Sequence, residues 1–303
     1  MSLINKYLIV IVGPTAVGKT ALSIEIAKQY NTSILSADSR QIFKELCIGT
    51  AKASLKEQDG VPHYFVDYLS IQDPFNAGMF EREGLAVLET LFAQKDVVVL
   101  CGGTGLYVKA LLEGMDELPG TDVELRVALN EEFERRGLEA MRAELQEIDP
   151  LTYSQIDLQN PLRVFRAIEV YRQTGKLLSE FKTGEKKPRP FNVIKIGLTM
   201  DREELYTRID KRMDLMLAAG LEEEAKAYSA YRNVNALQTV GYSEIYGFID
   251  GLYDREEMIR LLKRNSRRYA KRQLTWFTRD KEIKWFHPKE VGEIATFIES
   301  RLK

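Results

Sequence analysis

The sequence predicts an α/β fold: a parallel sheet flanked by helices on both sides, interrupted by a helical insertion. Three observations predict it. Continuous β-branched runs, Tyr7 to Val12 above all, suit strands buried on both faces. These runs alternate with helix-like stretches, the pattern of parallel strand–helix–strand units. Each of the first three runs ends in a polar or glycine-containing turn, and open sheets of this kind bind their ligands at the carboxyl ends of strands.

Taken in order, Tyr7-Leu8-Ile9-Val10-Ile11-Val12 leads into a glycine-containing loop, Gly13 to Thr20. Ala21 to Tyr30 then shows helical spacing, with Leu22, Ile26 and Tyr30 on one side. A second apolar run, Ser33 to Ala37, ends at Asp38. A third, Val97 to Leu100, ends in Gly102-Gly103-Thr104-Gly105 and enters a helix-like segment, Leu106 to Leu112. The character changes near Glu113 to Pro119. Glu124 to Ile148 is charged and helix-forming, and Gln155 to Tyr171 continues in that style. Lys182 to Pro190 reads as an exposed linker, and Asn192 to Leu198 as a further strand. This predicts a core made of residues 1–114 and 192–303, with a helical C-terminal part, and a helical insertion domain at 115–191.

Size and composition narrow the classes. The 303 residues, 45% hydrophobic and 29% charged, suffice for one large domain or two modest ones, and exclude a disordered chain. The formal net charge of −2 means that a nucleic-acid partner must be met by local basic patches. Cys47 and Cys101 are the only cysteines, His63 and His287 the only histidines, and their spacing argues against a disulfide framework or a structural zinc site. No apolar run approaches the ~18 residues that span a bilayer, and Met1 to Lys6 is too short and polar for a signal peptide. A cytoplasmic protein without a membrane partner is expected.

The strongest motif is Gly13-Pro14-Thr15-Ala16-Val17-Gly18-Lys19-Thr20, a complete P-loop between strand and helix, which makes the expected fold P-loop NTPase-like. Successive backbone N–H groups converge on phosphate oxygens, and the helix N-terminus adds a favourable dipole. Lys19 supplies a mobile cation, and the Thr20 hydroxyl can bind Mg²⁺. The motif specifies phosphate and not which phosphate compound. No aspartate ends the Val97–Leu100 run, where an ordinary ATPase carries its metal-binding acid. Asp38, heading Asp38-Ser39-Arg40-Gln41, can bind metal, cap a helix or act as a base; Gly102 to Gly105 reads equally as a tight packing turn.

Basic residues gather in two places. Arg260 to Arg272 holds seven basic residues and no acid in thirteen positions, at helical spacing, while Leu262, Tyr269 and Leu274 can face inward. Such a stripe is either a solvated face or a track for RNA phosphates, and the lack of acids favours RNA. Gln159, Asn160 and Arg163, with Arg166, form a second candidate patch. Core packing is the expectation for Trp276 and Phe277.

GPTAVGKT, ADSRQIF, IGTAK and GGTGLY, in this order, resemble the tRNA dimethylallyltransferase (tRNA isopentenyltransferase) family, and the likeness runs from Ile11 to Phe277. Val61–Pro62–His63, QNPLRVFRAIEV (Gln159 to Val170), LYTRIDKRMDLMLAAGLEEE (Leu205 to Glu224), TVGYSEI (Thr239 to Ile245) and KRQLTWF (Lys271 to Phe277) extend it. Phe43 stands where a tyrosine is common, FNAGMF replaces the usual serine between Pro74 and Phe80, and Val17 is often smaller. The resemblance implies transfer of a dimethylallyl group from its diphosphate to N6 of the adenine immediately 3′ of the anticodon in tRNA, with Mg²⁺. It implies that Arg208 joins Gly13 to Thr20 on the diphosphate, that Asp38 is the general base, and that Thr104 and Arg126 touch tRNA. Asp38, Ser39, Arg40, Gln41, Gln159, Asn160, Pro161, Leu162, Arg163, Lys271 and Arg272 are the further tRNA-binding candidates. Read alone, Arg208 is as readily a solvated helix arginine, and Arg126 reads better as one. The expected partners are the tRNA anticodon stem-loop and dimethylallyl diphosphate, and the expected state is a monomer. The rivals are a P-loop kinase, an enzyme prenylating free adenine nucleotides, and an RNA-binding NTP-dependent switch.

Overall fold

The computed structural model describes residues 5–302. Six parallel strands form one sheet: β1 (Tyr7–Val12), β2 (Ile34–Ser36), β3 (His63–Tyr64), β4 (Val97–Gly102), β5 (Asn192–Leu198) and β6 (Lys284–Phe286), in the order β3-β2-β4-β1-β5-β6. The sheet is thus the P-loop NTPase-like parallel sheet that the sequence predicts. Its central strands are the apolar runs. All six residues of β1 are buried, and β1 pairs with β4 on one side (Ile11 opposite Cys101) and β5 on the other (Ile11 opposite Ile196). β3 and β6 carry no apolar run in the sequence long enough to mark a strand, being two and three residues at the sheet edges with only Phe286 buried.

Chain contacts divide the protein into two compact units, Met1–Glu113 with Pro188–Lys303, and Gly114–Lys187. In the first, Ile9, Ile11, Val17, Ile26, Val99, Ile196, Leu205 and Phe286 share one core. Because all the strands run the same way, the turns after β1, β2 and β4 open on one edge. Helix Lys19–Gln29 follows the P-loop directly, and helices Arg202–Ala218 and Arg255–Phe277 belong to the same unit.

The second unit closes its own core from Leu129, Met141, Leu145, Val164, Phe165 and Ile168. Its long helix, Val123–Ile148, is broken by Gly137 at φ 75°, and helix Pro161–Thr174 packs against it. The unit ends at Lys187, short of Phe191, and Arg189 belongs to the sheet unit: its guanidinium pairs with Glu81 at 2.8 Å and donates to the Leu111 and Ala110 carbonyls. Among the described residues no helix is long and apolar enough to cross a membrane.

Candidate active site

A cleft of about 880 Å³ opens on the sheet edge, and the P-loop, the Asp38 turn and helix Arg202–Ala218 all line it. Gly13 at φ 145° and Gly18 at φ 110° take the left-handed conformations that curl the chain between β1 and its helix. No side chain caps that helix, and the N–H groups of Ala16 to Thr20 meet no protein acceptor among the described residues. Ala16, Gly18, Lys19 and Thr20 line the cleft, so unspent N–H donors and the positive end of the helix dipole meet there, as an anion site requires.

Lys19 crosses the loop, its Nζ donating to the Pro14 carbonyl at 2.7 Å. Burial pushes its pKa down from 10.5 to about 8, against the pull of Cys101 and Asp38 and with help from the Arg212 charge. Asp38 faces the same cleft. Its Oδ1 accepts from the N–H groups of Arg40 (2.9 Å) and Gln41 (3.2 Å), and Oδ2 takes no hydrogen bond among the described residues. Oδ1 thus closes a turn where no helix begins, so Asp38 is not a helix cap, and Oδ2 is left open to the cleft. Arg40 is anchored to Asn235 at 2.9 Å, and burial lowers its pKa against the pull of Asp38. Burial, with Asp38 adding to it, pushes the Tyr269 hydroxyl up to about 12, so the phenol stays protonated beside the carboxylate.

The glycine turn that closes β4 packs directly against the Asp38 turn. A Cβ on Gly102 would lie 2.2 Å from the Ala37 carbonyl oxygen, so only glycine lets the ends of β2 and β4 meet so closely. Thr104 N–H donates to that carbonyl at 3.1 Å, and Thr104 Oγ1 accepts from Ser39 N–H at 3.0 Å. Asp38, Ser39 and Thr104 are thereby one rigid corner. Where an ATPase carries its acid, β4 has Cys101 as its last residue but one, a thiol that burial pushes up in pKa and Lys19 pulls down.

The remaining predicted residues fall in several places. Arg208 is exposed and lines the cleft, with its guanidinium 4.0 Å from where a Cβ on Gly18 would stand. Arg126 pairs with the fully buried Glu169, which also takes Arg166 at 3.1 Å. Neither arginine is a free solvated side chain. Asn160 caps helix Pro161–Thr174 by accepting from Leu162 N–H at 3.1 Å, with Pro161 at the first helical position. Gln159, Leu162 and Arg163 are exposed there. The basic stripe shrinks: Arg260 pairs with Glu257, Lys263 with Asp214 and Arg267 with Asp210, acids supplied by neighbouring turns and a different helix. Arg268, Lys271 and Arg272 remain exposed, Arg272 over the Tyr269 ring at 5.7 Å. Core packing holds for Phe277 and fails for Trp276, which is 37% exposed and lies against Gly105.

Two site residues escaped the sequence reading. Arg212, one turn beyond Arg208, reaches Thr15 Oγ1 at 3.4 Å, and burial lowers its pKa against the pull of Asp38. The i, i+4 spacing of the two arginines was the available signal. Gln273, buried in the cleft wall, hydrogen-bonds the P-loop itself. A lone glutamine in a basic helix gives no such signal.

Mg²⁺ takes few protein ligands and fills its octahedron with phosphate oxygens and water. The described residues include no cluster of three acidic, histidine or cysteine ligands, and the Thr20 hydroxyl at the helix start is the donor that fits such a sparse site.

The IPP transferase family matches residues 41–280. A tRNA dimethylallyltransferase of Cytophaga hutchinsonii is 74% identical over 303 residues, covering 100% of both chains, and tRNA dimethylallyltransferase 1 of Bacteroides fragilis is 47% identical over 98% of this chain and 99% of its own. The crystal structure of the tRNA isopentenylpyrophosphate transferase of Bacillus halodurans has a TM-score of 0.73 at 38% identity, covering 98% of this chain and 97% of that one. A eukaryotic dimethylallyltransferase, captured in crystals acting on tRNA, has a TM-score of 0.73 at 28% identity, over 89% of this chain and 69% of its own. With those matches on a P-loop sheet whose anion cradle faces a carboxylate, this chain belongs to the IPP transferase family of tRNA dimethylallyltransferases.

Proposed function

We propose that the enzyme transfers a dimethylallyl group from dimethylallyl diphosphate to N6 of the adenosine 3′-adjacent to the anticodon of tRNA, releasing pyrophosphate. The observation that carries this reading is the shared cleft: unspent P-loop donors and the Asp38 carboxylate line one cavity. The P-loop amides, Lys19 and Arg208 hold the diphosphate and take up the negative charge that grows as the allylic C–O bond breaks. The Thr20 hydroxyl would hold Mg²⁺, which when bound would supply further charge neutralisation to the leaving group.

The acceptor nitrogen is weakly nucleophilic because its lone pair is delocalised into the purine. As its bond to the allylic carbon forms, the N–H proton passes to Asp38 Oδ2, the oxygen that the turn leaves open. Thr104 and Ser39 form the corner against which the base is oriented. An adenine stacked in an anticodon loop cannot reach a cleft at the end of a sheet, so the nucleotide is flipped out. Arg126, Gln159 to Arg163, Lys271 and Arg272 are the proposed contacts to the stem-loop. The enzyme works as a cytoplasmic monomer in this reading.

Incubation with labelled dimethylallyl diphosphate, total tRNA and Mg²⁺ tests it. Label is expected on an adenosine next to the anticodon, with one pyrophosphate released per transfer and no ATP consumed. Label confined to free nucleotides, or ATP turnover without transfer, overturns it.

A further inference from the structure

The reaction brings together two things held by different turns: a diphosphate in the P-loop and an acceptor base beside Thr104. One buried amide joins those turns. Gln273, 6% exposed on helix Arg255–Phe277, accepts from Thr15 N–H at 2.8 Å through Oε1 and donates from Nε2 to the Gly103 carbonyl at 3.0 Å. Both ends of the amide are thus spent on backbone groups, one in each turn. Thr15 N–H, the loop donor that Gln273 takes, is withdrawn from the set that faces the anion.

The fit on the second turn is tight. A Cβ on Gly103 would stand 2.2 Å from Gln273 Nε2, so the glycine turn and the glutamine are shaped for one another. Gly103 precedes Thr104, whose hydroxyl accepts from Ser39 N–H next to Asp38. A shift of Gln273 therefore moves the donor cradle and the acceptor corner relative to each other, while the groups within each turn keep their own arrangement.

We propose that Gln273 is a positioning residue for the transfer step: it sets the P-loop and the Thr104 corner in register, fixing the gap that the allylic carbon crosses. The inference rests on the prenyl-transfer reading above. Reactions between held partners are steep in that gap, since a displacement of about 1 Å costs on the order of 10²-fold in rate.

Four proteins test it: wild type, Gln273→Ala, Gly103→Ala and the double variant, each assayed with labelled dimethylallyl diphosphate and tRNA after its thermal midpoint is recorded. The expected result for Gln273→Ala is a kcat lower by about 10²-fold, with KM for each substrate within about threefold of wild type. Gly103→Ala, which pushes the amide away, is expected to show the same split. The double variant is expected to be no slower than Gln273→Ala alone, because the clash partner is gone. A residue that merely supports the fold shifts the thermal midpoint and both KM values, and its defects add to those of Gly103→Ala. Unaltered kcat in Gln273→Ala, or additive losses in the double variant, overturns the proposal. A wild-type enzyme that transfers no label overturns the prenyl-transfer reading instead, and so separates the two failures. If the alanine variant does not fold, Gln273→Glu keeps the size and the acceptor for Thr15 but turns a carboxylate oxygen on the Gly103 carbonyl, which breaks that link by repulsion; full kcat in that variant also overturns the proposal.

Discussion

Two charged side chains at the cleft divide the labour of the transfer, and each has a separable signature. Asp38 spends Oδ1 on its own turn and keeps Oδ2 for the acceptor. Asp38→Ala is therefore expected to retain tRNA binding and lose about 10²–10⁴-fold in single-turnover rate, the usual share of a general base. An undiminished rate removes the assignment. Lys19 is different, because burial holds its pKa near 8 in the free enzyme. An arriving diphosphate favours the charged form, so binding takes up a proton above that pH. Affinity for the donor is expected to weaken as pH rises through about 8, as calorimetry in buffers of differing ionisation heat will register. The same shift works against the fold. The folded-state pKa lies below the unfolded 10.5, so the folded protein binds fewer protons between the two values, and stability rises with pH across about 8 to 10.5. Below 8 the penalty is complete, on the order of 3 kcal/mol. Lys19→Met is expected to raise the melting temperature of the substrate-free protein at pH 7 while abolishing donor binding; a variant that melts lower contradicts this account.

Among the elements, the loop after β2 depends on a carboxylate from far along the chain. Glu224, on helix Leu221–Ala227, accepts from the N–H groups of Cys47 (2.9 Å), Ile48 (2.8 Å) and Gly49 (2.9 Å), and from the Tyr242 hydroxyl at 2.6 Å. The loop it holds supplies Gly49 to Ala53 to the cleft wall. Glu224→Ala leaves those three donors without their shared acceptor, and loss of charged hydrogen bonds costs about 1.5–3 kcal/mol each at the outset. Hydrogen exchange of residues 47–53 is expected to quicken well before the sheet strands do; uniform exchange across the unit counts against a local anchor. Here lies the limit of what the sequence displays. Period and punctuation mark β1, β2, β4 and β5 and the P-loop, since each is a local pattern of apolar residues and glycine. Asp38 and Thr104 are legible as turn residues, and the family resemblance names them. What holds them is not local: Glu224 lies 177 positions from Cys47 and Gln273 lies 258 from Thr15, pairings that no spacing rule encodes. The basic stripe fails for the same reason, because Asp210 and Asp214 that neutralise part of it come from another helix. In the second unit, likewise, Glu169 gives no sign in sequence that it is the buried seat of Arg126 and Arg166.

At the scale of the whole molecule, charge sets how RNA is held. With a net charge of −2 the protein has no overall field to draw a polyanion, so attraction comes from cations that other parts of the fold leave uncommitted. Along the stripe on helix Arg255–Phe277 the exposed ones are Arg268, Lys271 and Arg272, whereas Arg260, Lys263 and Arg267 already answer acids and the half-buried Arg264 donates to Asn265. An ion pair on the protein must be broken before its cation can displace a counterion from RNA, so paired residues contribute little to counterion release. The salt dependence of tRNA affinity separates the two sets. Replacing Arg268, Lys271 or Arg272 by alanine is expected to flatten the slope of log affinity against log salt by about 0.7–0.9 each, the value for one phosphate contact. Arg260→Ala, made on the same helix, is expected to leave the slope unchanged, because its guanidinium is committed to Glu257. Equal flattening by Arg260→Ala and Lys271→Ala would mean that the pairs open on binding and that the full stripe, not its uncommitted end, tracks the RNA backbone.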